Sequence, residues 1–291
     1  MFLAFGYIVA LLATLGSFWA MGGHFGALWQ PFEFVLIAGT AFGAFVAANN
    51  KGSLSQLRIS LPHAFRRGKY DRELYMQLMA LQHTLLNKMK REGKNKVESD
   101  IEDPKNSAIF QQYPAVLKDT KLTTFLCDYL RLMITDNMSP HEIEALMDEE
   151  IETFRMEGDV PVAALRSVSD GLPAFGIVAA VLGVVKALAA VDQPPAILAD
   201  LIAKAMVGTF LGIYLAYGFV GPIASSIERS QEDALKALEC VKATLLAFCS
   251  GYPAPIAIEF GRKVLFSTVR PSFNELEDHI RLIKSANKKA A

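Results

Sequence analysis

A chain that moves ions through lipid needs ionisable or hydroxyl groups inside its apolar runs, and this chain supplies few of them. The run 201–222 carries one aliphatic hydroxyl, Thr209. Between Leu172 and Pro222 the acids are confined to a link, at Asp192 and Asp200. Glu33 is the only acid in the first fifty residues, and at a helix start it suits an anion on the helix dipole. Lys186 reads as a cation that snorkels outward, toward Asp192. Membrane relays for protons and cations use Asp, Glu or His at depth. If this chain conducts, the carboxylate is expected from a partner helix. Thr209 then has two readings: a back-bond to its own helix, or a polar contact to a carried ion or carboxylate.

Enzyme chemistry finds no support. There is no GxSxG, P-loop, HExxH or paired CxxC. His24, His63, His83, His141 and His279 are scattered and read as surface or interface residues. The cysteines Cys127, Cys240 and Cys249 are odd in number and read as reduced thiols, neither metal ligands nor disulfides. No metal and no cofactor is expected. A net charge of −1 gives no field for nucleic acid.

The elements that would position Thr209 are long and apolar. The chain has 291 residues, 52% hydrophobic and 20% charged, which fits a membrane part joined to a sizeable aqueous part. At about 1.5 Å per residue, each of four apolar runs can cross roughly 30 Å of hydrocarbon. The expected fold is an all-α integral membrane protein with four transmembrane helices and a large helical cytoplasmic domain. Residues 1–50 hold spans at about 2–21 and 33–49, the first read as a retained helix and not a signal peptide. Residues 51–169 form a helical domain, 170–227 hold spans at about 172–191 and 201–223, and 228–291 return to helices outside the membrane. Residues 51–70 hold Lys51, Arg58, Arg66, Arg67 and Lys69 and no acid, whereas the links at 22–32 and 192–200 have no Lys or Arg. The positive-inside rule puts both termini in the cytoplasm.

Small residues recur every fourth position at Gly208, Gly212 and Ala216, and nearly so at Gly176, Ala180, Gly183 and Ala187. Such stripes let helices approach closely in lipid. They pack either the two spans on each other or a partner helix. Pro173 and Pro222 sit at the same end of this hairpin, with Tyr217 about one turn from Pro222. In the aqueous blocks, Ser139, Pro140 and Glu142 form a capped helix start with Gly158 as its expected stop, and another start falls at Pro271, Ser272 and Glu275.

DGLPAFGIVAAVLGVV, KAMVGTFLGIYLAYGFVGP, EIEALMDEEIE, IEFGRK and the N-terminal GYIVAL, MGG and GALWQP together resemble the MotA family of flagellar motor stator subunits. The likeness runs over nearly the whole chain. The shorter ExbB and TolQ relatives, proton channels that power outer-membrane processes, are the alternative; they lack this long second cytoplasmic loop. The resemblance implies a multi-pass protein of the bacterial inner membrane. It implies a ring of five copies around a dimer of MotB, which brings the membrane aspartate and a peptidoglycan anchor. Proton flow would drive the rotor protein FliG. Pro173 and Pro222 would couple conformation, and Met206, Thr209 and Tyr217 would lie on the ion-path span. Ala180 replaces a threonine of sodium-driven relatives, which favours protons. Lys90, Arg91 and Glu98, with Glu150, would face the rotor, a lysine standing at position 90 where arginine is usual.

Overall fold

The four apolar runs become helices, as their length and composition require. The computed structural model describes residues 2–65, 68–135 and 138–290, with His63 and residues 284–290 as backbone only. Arg66 and Arg67, counted above, lie outside the described residues. In chain order the longer helices are α1 (Phe2–Ala20), then a single turn α2 (Phe25–Leu28), α3 (Pro31–Ala48), α4 (Lys51–Phe65) and α5 (Arg72–Glu92). Short turns follow at α6 (Glu98–Glu102) and α7 (Pro114–Leu117), then α8 (Thr120–Thr135). The remainder is α9 (Pro140–Leu188), α10 (Pro195–Leu215), a π-helical turn (Ala216–Val220), α11 (Gly221–Cys249), α12 (Ala254–Val264) and α13 (Phe273–Ala290). No strand occurs among the described residues. The chain divides into two compact units, one of residues 1–67 and 157–229, the other of 68–156 and 230–291.

The first unit holds the four segments long and apolar enough to span a membrane: α1, the α2–α3 stretch, and parts of α9 and of the α10–α11 rod. Its packed centre joins Ile37 and Ala41 of α3 to Leu172 and Ala179 of α9 and to Ala216. No residue of α1 is fully buried; Leu3, Tyr7, Ala10, Thr14 and Phe18 form a half-buried stripe, and most of the remaining circumference is apolar and exposed. Two residues, Asn49 and Asn50, separate α3 from α4. Its Ala64 packs with Val162, Ile227 and Leu3, and the Ala64 carbonyl accepts from the Ser226 hydroxyl at 2.9 Å.

Gly158 does not stop α9, which runs unbroken past it and past Pro161 and Pro173. A glycine inside a helix costs only about 1 kcal/mol against alanine, and the helix continues through Pro161 three residues later. The third span is therefore the last part of a 49-residue helix that ends at Leu188. A snorkelling pair does not form: among the described residues Lys186 makes no ion pair with Asp192, and Asp200 pairs instead with Lys204 at 2.7 Å.

The second unit packs a conventional core. α5 contributes Leu74, Leu78, Leu81, Leu85 and Met89, the stripe that its helical spacing predicts. Against these lie Phe125, Leu126 and Leu130 of α8, Ile143, Met147 and Ile151 of α9, Leu238, Val241 and Leu245 of α11, and Ile258 of α12. α12 approaches α11 closely at Gly261, where an added Cβ would lie 2.1 Å from the buried Thr244 Oγ1 and 2.8 Å from the Cys240 carbonyl. Cys127 and Cys240 are buried thiols, pushed up to about 12 by desolvation. They stay protonated and inert at neutral pH.

Both predicted capping boxes form. The Ser139 backbone N–H and hydroxyl donate to Glu142 at 2.8 and 2.7 Å, and the Glu142 N–H returns a bond to the Ser139 hydroxyl. Ser272 and Glu275 repeat the pattern. These bonds hold the Glu142 and Glu275 carboxyls below their ordinary value of 4.5. A depressed carboxyl stabilises the fold fully above its ordinary value and loses that stabilisation as pH falls through the folded value. Amide exchange at the starts of α9 and α13 should therefore quicken as pH drops below 4.5, and Glu142→Gln should remove the pH dependence at α9 only. Gly261→Ala should cost about 1 to 3 kcal/mol of stability by overpacking, read as a lower thermal unfolding midpoint in detergent.

Candidate functional site

α9 and α10 meet backbone to backbone. A Cβ placed on Gly176 would lie 2.8 Å from the Gly208 carbonyl and 3.3 Å from the Thr209 Cα. One on Gly212 would lie 2.6 Å from the Leu172 carbonyl, and one on Gly183 2.5 Å from the Ala205 Cβ. Both small-residue stripes are thus used up inside the chain, the first of the two readings given above. What remains for a partner is the neighbouring face.

That face of α10 carries Ile202, Met206, Thr209 and Ile213, and the π turn after it continues the face with Tyr217, at spacings of four, three, four and four residues. At 100° per residue these fall on one face. Met206 is 68% exposed, Tyr217 is 66% exposed and Ile213 is exposed as well, while Thr209 is half-buried. Ala180 borders this face from α9, its backbone nitrogen 3.3 Å from where a Gly208 Cβ would sit. Thr209 and Ala180 therefore lie at the seam of two helices that cannot separate without losing their closest contact, with Met206 and Tyr217 further along the same face.

Glu33 departs from its simple reading. It does lie in the first turn of α3, behind Pro31, as a dipole anion should. Its carboxyl, however, reaches α10: Oε2 lies 3.4 Å from the position of a Gly208 Cβ and is sealed from solvent without a hydrogen-bond partner. Gly208 stands seven residues, about 10 Å, inside the expected start of the fourth span. The chain thus has an acid against Gly208, within the expected fourth span. The sequence hides it because α3 packs on α10 across a long separation, and a helix start looks like a membrane boundary. The one available signal was its solitude in an apolar stretch.

Hydroxyls from two other helices bond the backbone of the turn before Pro222. Pro222 follows the π turn, in which the Gly221 N–H bonds the Ala216 carbonyl. Ser169 of α9 donates to the same Ala216 carbonyl at 2.9 Å, and Tyr7 of α1 donates to the Phe219 carbonyl at 2.7 Å. Neither residue stood out in the sequence, since nothing local marks a contact across 47 or 212 positions.

The charged candidates occupy the second unit. Lys90 and Arg91 end α5 and are exposed. Gly93, at φ +99°, turns the chain into a short 3₁₀ segment that delivers Glu98 to the start of α6, also exposed. The turn is pinned from within. Asp100 is buried and accepts from Lys88 Nζ and the Ser107 hydroxyl, each at 2.7 Å. Lys94 Nζ donates to the Met133 carbonyl of α8 at 3.0 Å. Glu150 is fixed separately, accepting from the Tyr129 hydroxyl at 2.7 Å. Among the described residues no group of His, Cys, Asp and Glu could hold a metal ion.

Comparison with known proteins bears on this arrangement. Residues 4–93 match the Motility protein A N-terminal family and residues 117–240 the MotA/TolQ/ExbB proton channel family. The chain is 50% identical over 287 residues to Motility protein A of Salmonella typhimurium, covering 99% of this chain and 97% of that one. It is 50% identical over 285 residues to Motility protein A of Escherichia coli, with 98% and 97% covered. Chemotaxis protein LafT of Vibrio parahaemolyticus is 37% identical over 272 residues, with 94% and 95% covered. The fold matches the flagellar MotAB stator complex from Bacillus subtilis with a TM-score of 0.74 at 24% identity, covering 94% of this chain and 97% of that one. It matches C. jejuni MotAB at 0.76 and 17%, with 91% and 95% covered. On 50% identity over nearly the full length of both chains, the chain belongs to the Motility protein A family, within the MotA/TolQ/ExbB proton channel family.

Proposed function

We propose that the chain is a stator subunit of the flagellar motor, which couples ion flow across the bacterial inner membrane to torque. One observation carries this reading: a half-identical, full-length relationship to Motility protein A, in a chain whose α10 turns a single Thr209-centred face outward. That face has the length of a helix and no carboxylate of its own, so it suits a MotB-type partner that brings the aspartate. The ring of five copies around two such partners, with both termini cytoplasmic, belongs to the same proposal.

The ion is the proton. A sodium ion must exchange its water for several oxygen ligands, and this face presents one aliphatic hydroxyl beside Ala180. A proton needs only a chain of exchanging groups. Glu33, sealed against Gly208, is placed to take a proton on the outer side of Thr209 and release it inward. Pro173 and Pro222 mark the turns that would bend as the ion passes. Lys90, Arg91, Glu98 and Glu150 form the charged surface for the rotor protein FliG, by complementary charge rather than by apolar burial.

The test is swimming of a strain lacking this protein, complemented with it and its partner. Motility should persist without sodium and stop with a protonophore; dependence on sodium would sink the proton assignment. Glu33→Gln should slow swimming several-fold at unchanged membrane levels, and parent speed would remove Glu33 from the path. Reversing Lys90 and Arg91 together to Glu should cut torque by more than half, with partial recovery when the rotor surface is reversed in turn. No loss would place the rotor contact elsewhere.

A further inference from the structure

The ion-path helix is weakest where it passes from α10 to α11. Pro222 has no N–H, so the turn before it has more backbone acceptors than donors. The chain answers with a π turn, Ala216–Val220, and with two hydroxyls from other helices. Ser169 is fully buried in effect, at 4% exposure, and its hydroxyl shares the Ala216 carbonyl with the Gly221 N–H. Gly221 leaves the room: a Cβ there would lie 3.2 Å from that carbonyl and 3.4 Å from Ser169 Oγ. Tyr7 holds the other end of the turn, its ring 4.9 Å from the Phe219 ring and its hydroxyl on the Phe219 carbonyl.

Ser169 has a second relation to the hinge. It stands four residues before Pro173, so its own carbonyl is the one that Pro173 deprives of a helical donor. One residue thus carries the freed carbonyl of the α9 proline and the hydroxyl that steadies the turn before the α11 proline, Pro222. The two proline sites are joined through a single side chain.

We propose that Ser169 and Tyr7 are positioning residues for the ion path, clamping the π turn Ala216–Val220 and thereby fixing the direction of Tyr217 relative to Thr209. Neither touches the ion. Their hydroxyls bias the one turn of α10 that can repack without breaking the Gly176–Gly208–Gly212 contact above it. This rests on the reading that the Met206–Thr209–Tyr217 face lines the path.

The test uses the whole protein with its partner in motile cells, tracking single motors as stators are added one at a time. Speed per stator at low load is measured for Ser169→Ala, Tyr7→Phe, both together, Ser169→Thr and Tyr217→Ala, at matched membrane levels. A loss of folded protein lowers the number of working stators and leaves the speed of each unchanged. The clamp predicts a several-fold lower speed per stator for Ser169→Ala and Tyr7→Phe, a double variant less impaired than the product of the two, and substantial recovery with Ser169→Thr. Parent speed per stator in both single variants, with Tyr217→Ala impaired, overturns the clamp and leaves the ion-path reading standing. So does a Ser169→Thr no faster than Ser169→Ala, which would mark Ser169 as packing alone. Parent speed in Tyr217→Ala overturns the ion-path reading and the clamp with it.

Discussion

The contact of α9 with α10 at Gly176, Gly208 and Gly212 governs the membrane-type unit. Lipid tails are as apolar as leucine, so burial gives two helices in a bilayer little reason to associate. Dispersion between backbones at close range must do it, and that requires the absence of side chains. The glycines supply this along one line. Everything bulky on α10 is thereby sent to other faces, and Met206, Ile213 and Tyr217 emerge together on the free one. The same close approach brings Ala180 beside Gly208 and leaves just enough width there for the Glu33 carboxyl.

The second unit is organised by different physics. Its core is a packed interior of Leu, Met, Phe and Tyr, driven by burial from water. Some buried polar groups, Gln82 and Thr244 among them, have no hydrogen-bond partner, whereas the buried acids are paired. Asp119 meets Lys69 at 2.8 Å, and Asp100 has both a lysine and a serine. Such pairs add little net stability, since desolvation offsets their attraction. Their value is geometric: they fix a loop whose outer side carries free charge.

Much of this could be read from the sequence. Apolar runs of span length, period-3.6 stripes and Ser–x–x–Glu caps are local patterns, and local patterns survive translation into structure. Ser139 with Glu142 and Ser272 with Glu275 are examples. What failed was inference from a local sign with a non-local cause. Gly158 resembles a stop, yet the helix continues because packing further along outweighs one glycine. The stripes on α9 and α10 were ambiguous because the sequence does not say which surfaces meet. Glu33, Ser169 and Tyr7 gain their roles from contacts with residues 47 to more than 170 positions away, and no spacing rule reaches that far.

The π turn also solves a problem of phase. The small positions recur every four residues, whereas a helix repeats every 3.6, so each step rotates the stripe by about 40°. From Gly208 to Ala224 an unmodified helix would accumulate about 160° and carry Ala224 to nearly the opposite side. The turn takes up one extra residue and withdraws about 100° of that drift. Gly208, Gly212, Ala216 and Ala224 are all buried in consequence. The stretch from Pro195 to Arg229 therefore behaves as a shaft with a fixed angular offset in the middle: any repacking of the turn to ordinary helix would rotate the part after Val220 against the part before Ala216 by about a quarter of a revolution and lengthen the shaft by about 1.5 Å.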